Sequence, residues 1–143
     1  MEIRIRRARR NDYEALAALC GWPSVEDNPA RSVRMFRRTI ADLAYDVYVA
    51  EEDGRPIGIA AVSYVRELAI GGQRATLEEL VVDPQRRRAG VGRRLLEFVV
   101  ARAVRRGARA FEARPAESAV IAFLEHTGLR ACGTRYAREL ARR

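Results

Sequence analysis

Apolar positions along the chain change period several times, and each change predicts an element. Ile3 and Ile5 alternate with Arg4 and Arg6, the period of a half-buried strand near a sheet edge. A helix follows from about Asp12 to Cys20, broken at Gly21, Trp22 and Pro23. Asn28 reads as the N-cap of a second helix, with Pro29 in its first turn and Val33, Phe36, Ile40 and Leu43 at helical spacing. Val47 and Val49 then alternate with polar neighbours, Asp53-Gly54 marks a turn, and Ile57, Ile59 and Ala61 open the return strand of a hairpin. Past Gly71-Gly72, a strand from Thr76 to Val82 is closed by Asp83-Pro84.

The clearest helix runs from about Val91 to Arg106. Val91, Leu95, Val99 and Ala103 form one apolar stripe, widened by Leu96, Val100 and Val104. Gly107 suits its C-terminal cap, and Arg105 and Arg106 suit the negative end of its dipole. A strand near Arg109 to Ala113 is followed by a helix with Val120, Phe123, Leu124 and Thr127 on one face, stopped by Gly128. Leu129 to Leu140 reads as a final strand or pair of strands, with Tyr136 packed on the sheet. The order β-α-α-β-β-β-α-β-α-β predicts an α/β fold of the α+β mixed-sheet kind, with a strand-helix-strand crossover between the fourth and fifth strands. With no repeat, low-complexity tract or linker, residues 1–143 are expected to form a single domain.

Composition narrows the chemistry. Cys20 and Cys132 are far apart and in no metal-ligand pattern, and His126 is the single histidine, so no metal site is expected. No apolar run is long enough to span a bilayer, and the start lacks the apolar core of a signal peptide, so a cytoplasmic protein without a membrane partner is expected. Twenty-seven basic against 19 acidic residues leave a formal charge of +8, which favours an anionic partner. A nucleic-acid module would interleave aromatic with basic residues or offer a polar recognition helix. The basic helix here has a wide apolar face and no base-reading Asn or Gln, so no nucleic-acid partner is expected.

The anion has a better place. In DPQRRRAGVGRRLL, Arg86, Arg87, Arg88, Arg93 and Arg94 crowd the start of the best helix, where the peptide dipoles already carry positive charge. Gly90 and Gly92 let backbone amides approach a ligand, and the first helical N–H groups lack internal acceptors, so a pyrophosphate would satisfy both. A third glycine and a Gly-Lys-Ser/Thr run are both missing, which removes dinucleotide and P-loop enzymes.

The segment Arg87-Arg88-Ala89-Gly90-Val91-Gly92, after a strand ending in Val-Asp-Pro and before a Leu-Leu helix, resembles the (Gln/Arg)-x-x-Gly-x-(Gly/Ala) motif of the GNAT superfamily of N-acetyltransferases. The hairpin also matches, and AFLEHTGL is similar to the family's Ala-Phe-Tyr-Glu-x-x-Gly-Phe, so the resemblance spans nearly the whole chain. It implies a three-layer sandwich whose mixed, mostly antiparallel sheet has six or seven strands and about four helices, with the fourth and fifth strands splayed apart. It implies acetyl-CoA as acyl donor and an amine acceptor, small molecule or protein, and family members often dimerise. Amides from Arg88 to Gly92, flanked by Arg87 and Arg93, would hold the coenzyme pyrophosphate. Main-chain groups of Leu80, Val81 and Val82 would pair with the pantetheine arm like an added strand.

Acyl transfer needs a neutral amine, so a base must remove a proton from a group of pKa near 10. Glu78 and Glu79 lie on the strand beside the expected thioester. By alternation Glu78 shares a face with Thr76, Leu80 and Val82, and Glu79 with Leu77 and Val81. The resemblance favours Glu78 as base over Glu79, and an amide of Val81 or Val82 as oxyanion donor. Leu124 stands where the family carries its general-acid tyrosine, which leaves Tyr136 and His126 as replacements, or a coenzyme-binding protein with little catalysis. Glu117 stands near the place of an asparagine common in the family. The resemblance puts the acceptor pocket along Leu19 to Arg31, with Trp22.

Overall fold

A computed structural model describes residues 2–22, 29–114, 118–133 and 136–140. The expected roles of Asn28 and Glu117 lie outside the described residues. Five strands form one sheet in sequential order: β1 (Ile3–Arg7), β2 (Tyr45–Glu52), β3 (Arg55–Glu67), β4 (Gly72–Val82) and β5 (Ala110–Ala113). The first four pair antiparallel, whereas β4 and β5 are parallel. Helices α1 (Tyr13–Cys20) and α2 (Pro29–Ala41) cover one face, and α3 (Val91–Arg105) and α4 (Ser118–His126) cover the other. The result is the expected three-layer mixed fold, with α3 as the crossover between β4 and β5.

Alternation in the strands feeds two cores. Tyr48, Ala60, Val62 and Leu77 point to α3 and α4, where they meet Leu95, Leu96, Val99 and Leu124. Val47, Val49, Ile59 and Ala61 point to α1 and α2, where they meet Leu16 and Phe36. Each fully buried leucine contributes about 1.5–3 kcal/mol of transfer free energy. Gly58 lets α3 sit close on β3: a Cβ there would lie 3.0 Å from Leu95 Cδ1 and 3.3 Å from both Val91 Cγ1 and the Val81 carbonyl oxygen. The start of α3 is therefore pressed against the middle of the sheet.

The far end of α3 is tied by charge. Asp46, fully buried on β2, accepts a 2.7 Å hydrogen bond from the Tyr64 hydroxyl and faces Arg106, Arg102 and Arg7 at 3.3, 3.5 and 3.5 Å. The Arg106 guanidinium also lies 3.7 Å over the Tyr64 ring. Gly58 and Asp46 thus fix opposite ends of one helix.

Three expectations need correction. Leu43 is 88% exposed beyond the end of α2, because the helix stops at Ala41 before another apolar turn is completed. Val104 is 70% exposed, because its position falls outside the arc of α3 that the sheet covers. Strand formation from Leu129 to Leu140 is absent among the described residues, so the sheet has five described strands rather than six or seven. Gly133 takes φ +103°, outside the extended region of a regular strand, and Tyr136 is 91% exposed instead of packed on the sheet.

Candidate active site

Two main-chain features meet where β4 hands over to α3. β5 pairs only with Arg74 to Leu77 of β4, so among the described residues the stretch Glu78–Val82 has no strand partner on its β5 side. β5 ends at Ala113, opposite Leu77, and a row of β4 backbone groups is left for an extended ligand. After Val82 the chain enters a 3-10 turn, Pro84–Ala89, which the Asp83 carboxylate caps by accepting from the Gln85 N–H at 2.9 Å.

Gly90 then takes φ +76°, the left-handed conformation that glycine adopts without strain, and α3 begins. Its first internal bond is Arg94 N–H to Gly90 carbonyl at 3.1 Å, so the N–H groups of Val91, Gly92 and Arg93 have no acceptor inside the helix. No side chain caps this end and no acidic residue occupies the first turn. Beside Gly90 there is open space. A Cβ at Gly92 would lie 3.5 Å from Val82 and 3.6 Å from the Phe123 ring, so Phe123 of α4 borders the helix start.

Arg86, Arg93 and Arg94 find partners within the protein. Arg86 forks onto the buried Glu52 carboxylate at 3.0 and 3.2 Å, which ties the turn to β2. Arg93 pairs with Glu97 at 3.1 Å, and Arg94 donates to the Ile3 carbonyl at 3.1 Å. Charge repulsion at the helix start is therefore weaker than the bare sequence suggests. Arg87, Ala89 and Gly90 are exposed. Val91 is fully buried, so only its backbone faces the open end.

β4 also departs from regular alternation. Ala61 pairs with Glu79 and Val62 with Leu77, so Glu78 is an extra residue, a β-bulge. The bulge resets the parity. Leu77 and Leu80 both face the α3 core, whereas Glu79 and Val81 face α1 and α2. The expected face-sharing of Glu78 with Leu80 and Val82, and of Glu79 with Leu77, is thereby overturned. Ser63 shares the α1 and α2 face with Ala61, and its hydroxyl donates to Glu78 Oε1 at 2.8 Å. Both carboxylates consequently lie on one side of the sheet.

Their settings differ. Glu78 is exposed, while Glu79 is half-buried beside Cys20 and Trp22 at the end of α1. Burial pushes the Glu79 carboxyl above its usual range; a hydrogen bond with Trp22 offsets part of that rise, and the neighbouring Glu78 charge adds to it. Burial and the Glu79 charge push the Cys20 thiol up to about 12, so it stays a neutral thiol near pH 7. Trp22 stacks in a tilted cluster with Tyr13 and Phe36, ring centroids 5.6–6.1 Å apart. Sequence reasoning missed this cluster and the bulge, although LEELVV with two adjacent carboxylates inside an apolar strand was a visible irregularity.

On the leaving-group side, Leu124 is buried at 5% exposure and belongs to the α3 core. Tyr136 makes no hydrogen bond or ring contact among the described residues, and His126 is exposed at the end of α4. Leu124 packs in one cluster with Leu77 of β4 but has no proton to donate. Among the described residues no group of His, Cys, Asp and Glu could hold a metal ion, and no helix is long and apolar enough to cross a membrane.

Comparison with known proteins agrees with this geometry. No curated protein matches the sequence. Among solved structures, a transcriptional regulator from Bacillus halodurans C-125 superposes with a TM-score of 0.87 at 21% identity, covering 97% of this chain and 100% of that one. Glucosamine-6-phosphate N-acetyltransferase from Arabidopsis thaliana gives 0.83 at 18% identity, covering 99% and 100%. A predicted acetyltransferase from Clostridium acetobutylicum, solved with acetyl-CoA, gives 0.80 at 17% identity and 96% of each chain. At these identities the likeness is one of fold. The model of the acetyltransferase (GNAT) family, however, matches residues 7–129, and the chain belongs to that family.

Proposed function

We propose that residues 1–143 form one domain that moves an acetyl group from acetyl-CoA to a primary amine by direct attack through a tetrahedral intermediate. The observation that carries this reading is the succession of three features along one stretch of chain: the bulge carboxylates, the unpaired edge of β4 and the uncapped start of α3.

The amides of Arg88 to Gly92 are proposed to hold the coenzyme pyrophosphate, with Arg93 N–H completing the first turn and Arg87 flanking it. Open space beside Gly90 and the absence of a side-chain cap fit such a group. Main-chain groups of Leu80, Val81 and Val82 are proposed to align the pantetheine arm, and the Val81 or Val82 amide to steady the oxyanion. A carboxylate at the bulge, Glu78 or Glu79, takes the amine proton. The α1 side, with Trp22, receives the acceptor.

Leu124 in the core and an exposed Tyr136 leave the thiolate without a tyrosine acid, and this favours departure as the free thiolate, whose pKa is near 8.5. The same observation supports a second reading, a coenzyme-binding protein with little catalysis.

Calorimetry separates the loop assignment from the chemistry. Gly90→Val, which strains a left-handed residue, and Gly92→Val, which crowds Phe123 and Val82, are each expected to abolish acetyl-CoA binding. Arg105→Ala, an exposed change on the same helix, is expected to leave it intact. Unchanged affinity in both glycine variants would refute the loop assignment.

A further inference from the structure

An alternating strand would send Glu78 and Glu79 to opposite faces, one toward α3 and one toward α1. The bulge gives both to the α1 and α2 face, yet surrounds them differently. Glu78 projects at the exposed bulge position and is held by the Ser63 hydroxyl at 2.8 Å. Ser63 is itself buried and fixed in register with Thr76, so this anchor is rigid. Glu79 stands one residue deeper, opposite Ala61, against the end of α1, with Trp22 as its hydrogen-bond partner. Trp22 is in turn braced by Tyr13 and Phe36.

We infer that the bulge divides the labour of the two carboxylates: Glu79, oriented by Trp22, takes the proton of the attacking amine, while Glu78, oriented by Ser63, holds the ammonium group as it arrives. The inference rests on the acetyltransferase reading above and assigns roles within it. A charged ammonium is received best by a carboxylate that remains open to water and is oriented by a neutral donor. The proton then passes to Glu79, whose half-buried place against the end of α1 raises its affinity for a proton. The groups that bear on Glu79 are Cys20 from α1, which stays neutral, the Trp22 indole, and Glu78 beside it on β4.

The step balances. The ammonium gives one proton to Glu79, the neutral nitrogen forms the C–N bond, and the C–S bond breaks with its electron pair leaving on sulfur. The nitrogen's second proton goes to the departing thiolate, and Glu79 returns its own to water. Trp22 is a positioning residue here, acting through Glu79.

The sign of its effect is fixed. The hydrogen bond with Trp22 lowers the Glu79 pKa, so Trp22→Phe keeps a ring in the cluster but lets that pKa rise. The test is the pH profile of amine-dependent thiol release by the full chain. Glu79→Gln is expected to cut kcat by about 10²–10⁴ with amine KM little changed, and to remove the acid limb of kcat/KM. Glu78→Gln and Ser63→Ala are expected to raise amine KM by roughly tenfold or more, with the acid limb retained. Trp22→Phe is expected to move that limb to higher pH.

A second readout needs no turnover. Carbon-13 NMR of the side-chain carboxyls should show the Glu79 titration midpoint rising in folded Trp22→Phe. Loss of the acid limb in Glu78→Gln instead, or an unmoved Glu79 midpoint in folded Trp22→Phe, would overturn the division of roles. A wild-type protein that releases no thiol with any amine, while the NMR midpoint still moves, would place the failure in the acetyltransferase reading instead.

Discussion

Leu124 shows how one side chain changes an argument. By resemblance it occupies the place of a catalytic tyrosine, and restoring that tyrosine looks like a gain. The structure buries Leu124 against Leu95, Leu96 and Val99 in a filled core. Leu124→Tyr is therefore expected to destabilise the fold by about 1–3 kcal/mol through overpacking, read as a lower denaturant midpoint with unchanged slope. A variant as stable as the parent would mean that the core has room there. Glu79 offers a second residue-level test. Its carboxyl titrates above the ordinary range because burial disfavours the charged form, so its contribution to stability is complete below the usual glutamate pKa and is lost as pH rises through the shifted value. Glu79→Gln, which cannot ionise, is expected to melt higher than the parent at pH 7 by a margin that vanishes toward pH 4. A margin that grows on acidification would reverse the assigned shift.

At the level of elements, the periods of the sequence located β1 to β5 and α1 to α4 to within a few residues, because each buries one face or stripe and the apolar pattern records that directly. The same logic failed at β4. Period-2 reading assumes an unbroken ladder, and the extra residue at Glu78 breaks it, so the facing of every later residue shifted by one position. Nothing in local composition forces a bulge between Leu77 and Glu79. Leu129 to Leu140 failed for another reason: its apolar residues keep no strict period, and Gly133 within it takes φ +103°. The loop from Arg87 to Gly92 was legible because the pyrophosphate site proposed for it needs glycines and a helix start, which sequence displays. Its support was not. Gly58, 32 residues before Gly90, is what lets the start of α3 press onto β3. Gly58→Val is expected to cost about 1–3 kcal/mol and to weaken acetyl-CoA binding together with stability, whereas Gly90→Val weakens binding more than stability. Equal stability of Gly58→Val and the parent in chemical denaturation would remove Gly58 from this role.

Across the whole molecule, several arginines tie elements of the fold to one another through buried carboxylates. Arg6 is bound between Asp12 at 2.8 Å and Glu51 at 2.6 Å, Arg7, Arg102 and Arg106 converge on Asp46, and Arg86 is held by Glu52. These five arginines hold elements together, as three ties between β1, β2, α3 and the Pro84–Ala89 turn. Asp46→Ala would leave three guanidiniums and a buried tyrosine hydroxyl without their common acceptor. A loss of about 3–5 kcal/mol is expected, visible in thermal melts, with acetyl-CoA affinity near the parent value in the fraction that stays folded. The ties frame a single geometry, in which β4 carries two carboxylates on one face and an unpaired edge before it leads into the open start of α3. The central claim is that this geometry transfers acetyl groups to amines. Its most direct test mixes the purified chain with acetyl-CoA and a broad panel of primary amines, follows free thiol, and weighs the products by mass spectrometry. The account predicts thiol release that depends on at least one amine and yields that amine 42 Da heavier (the acetyl group replacing one hydrogen), with Glu79→Gln slower by about 10² or more. Acetyl-CoA that binds tightly while no amine in the panel gains an acetyl group would contradict it.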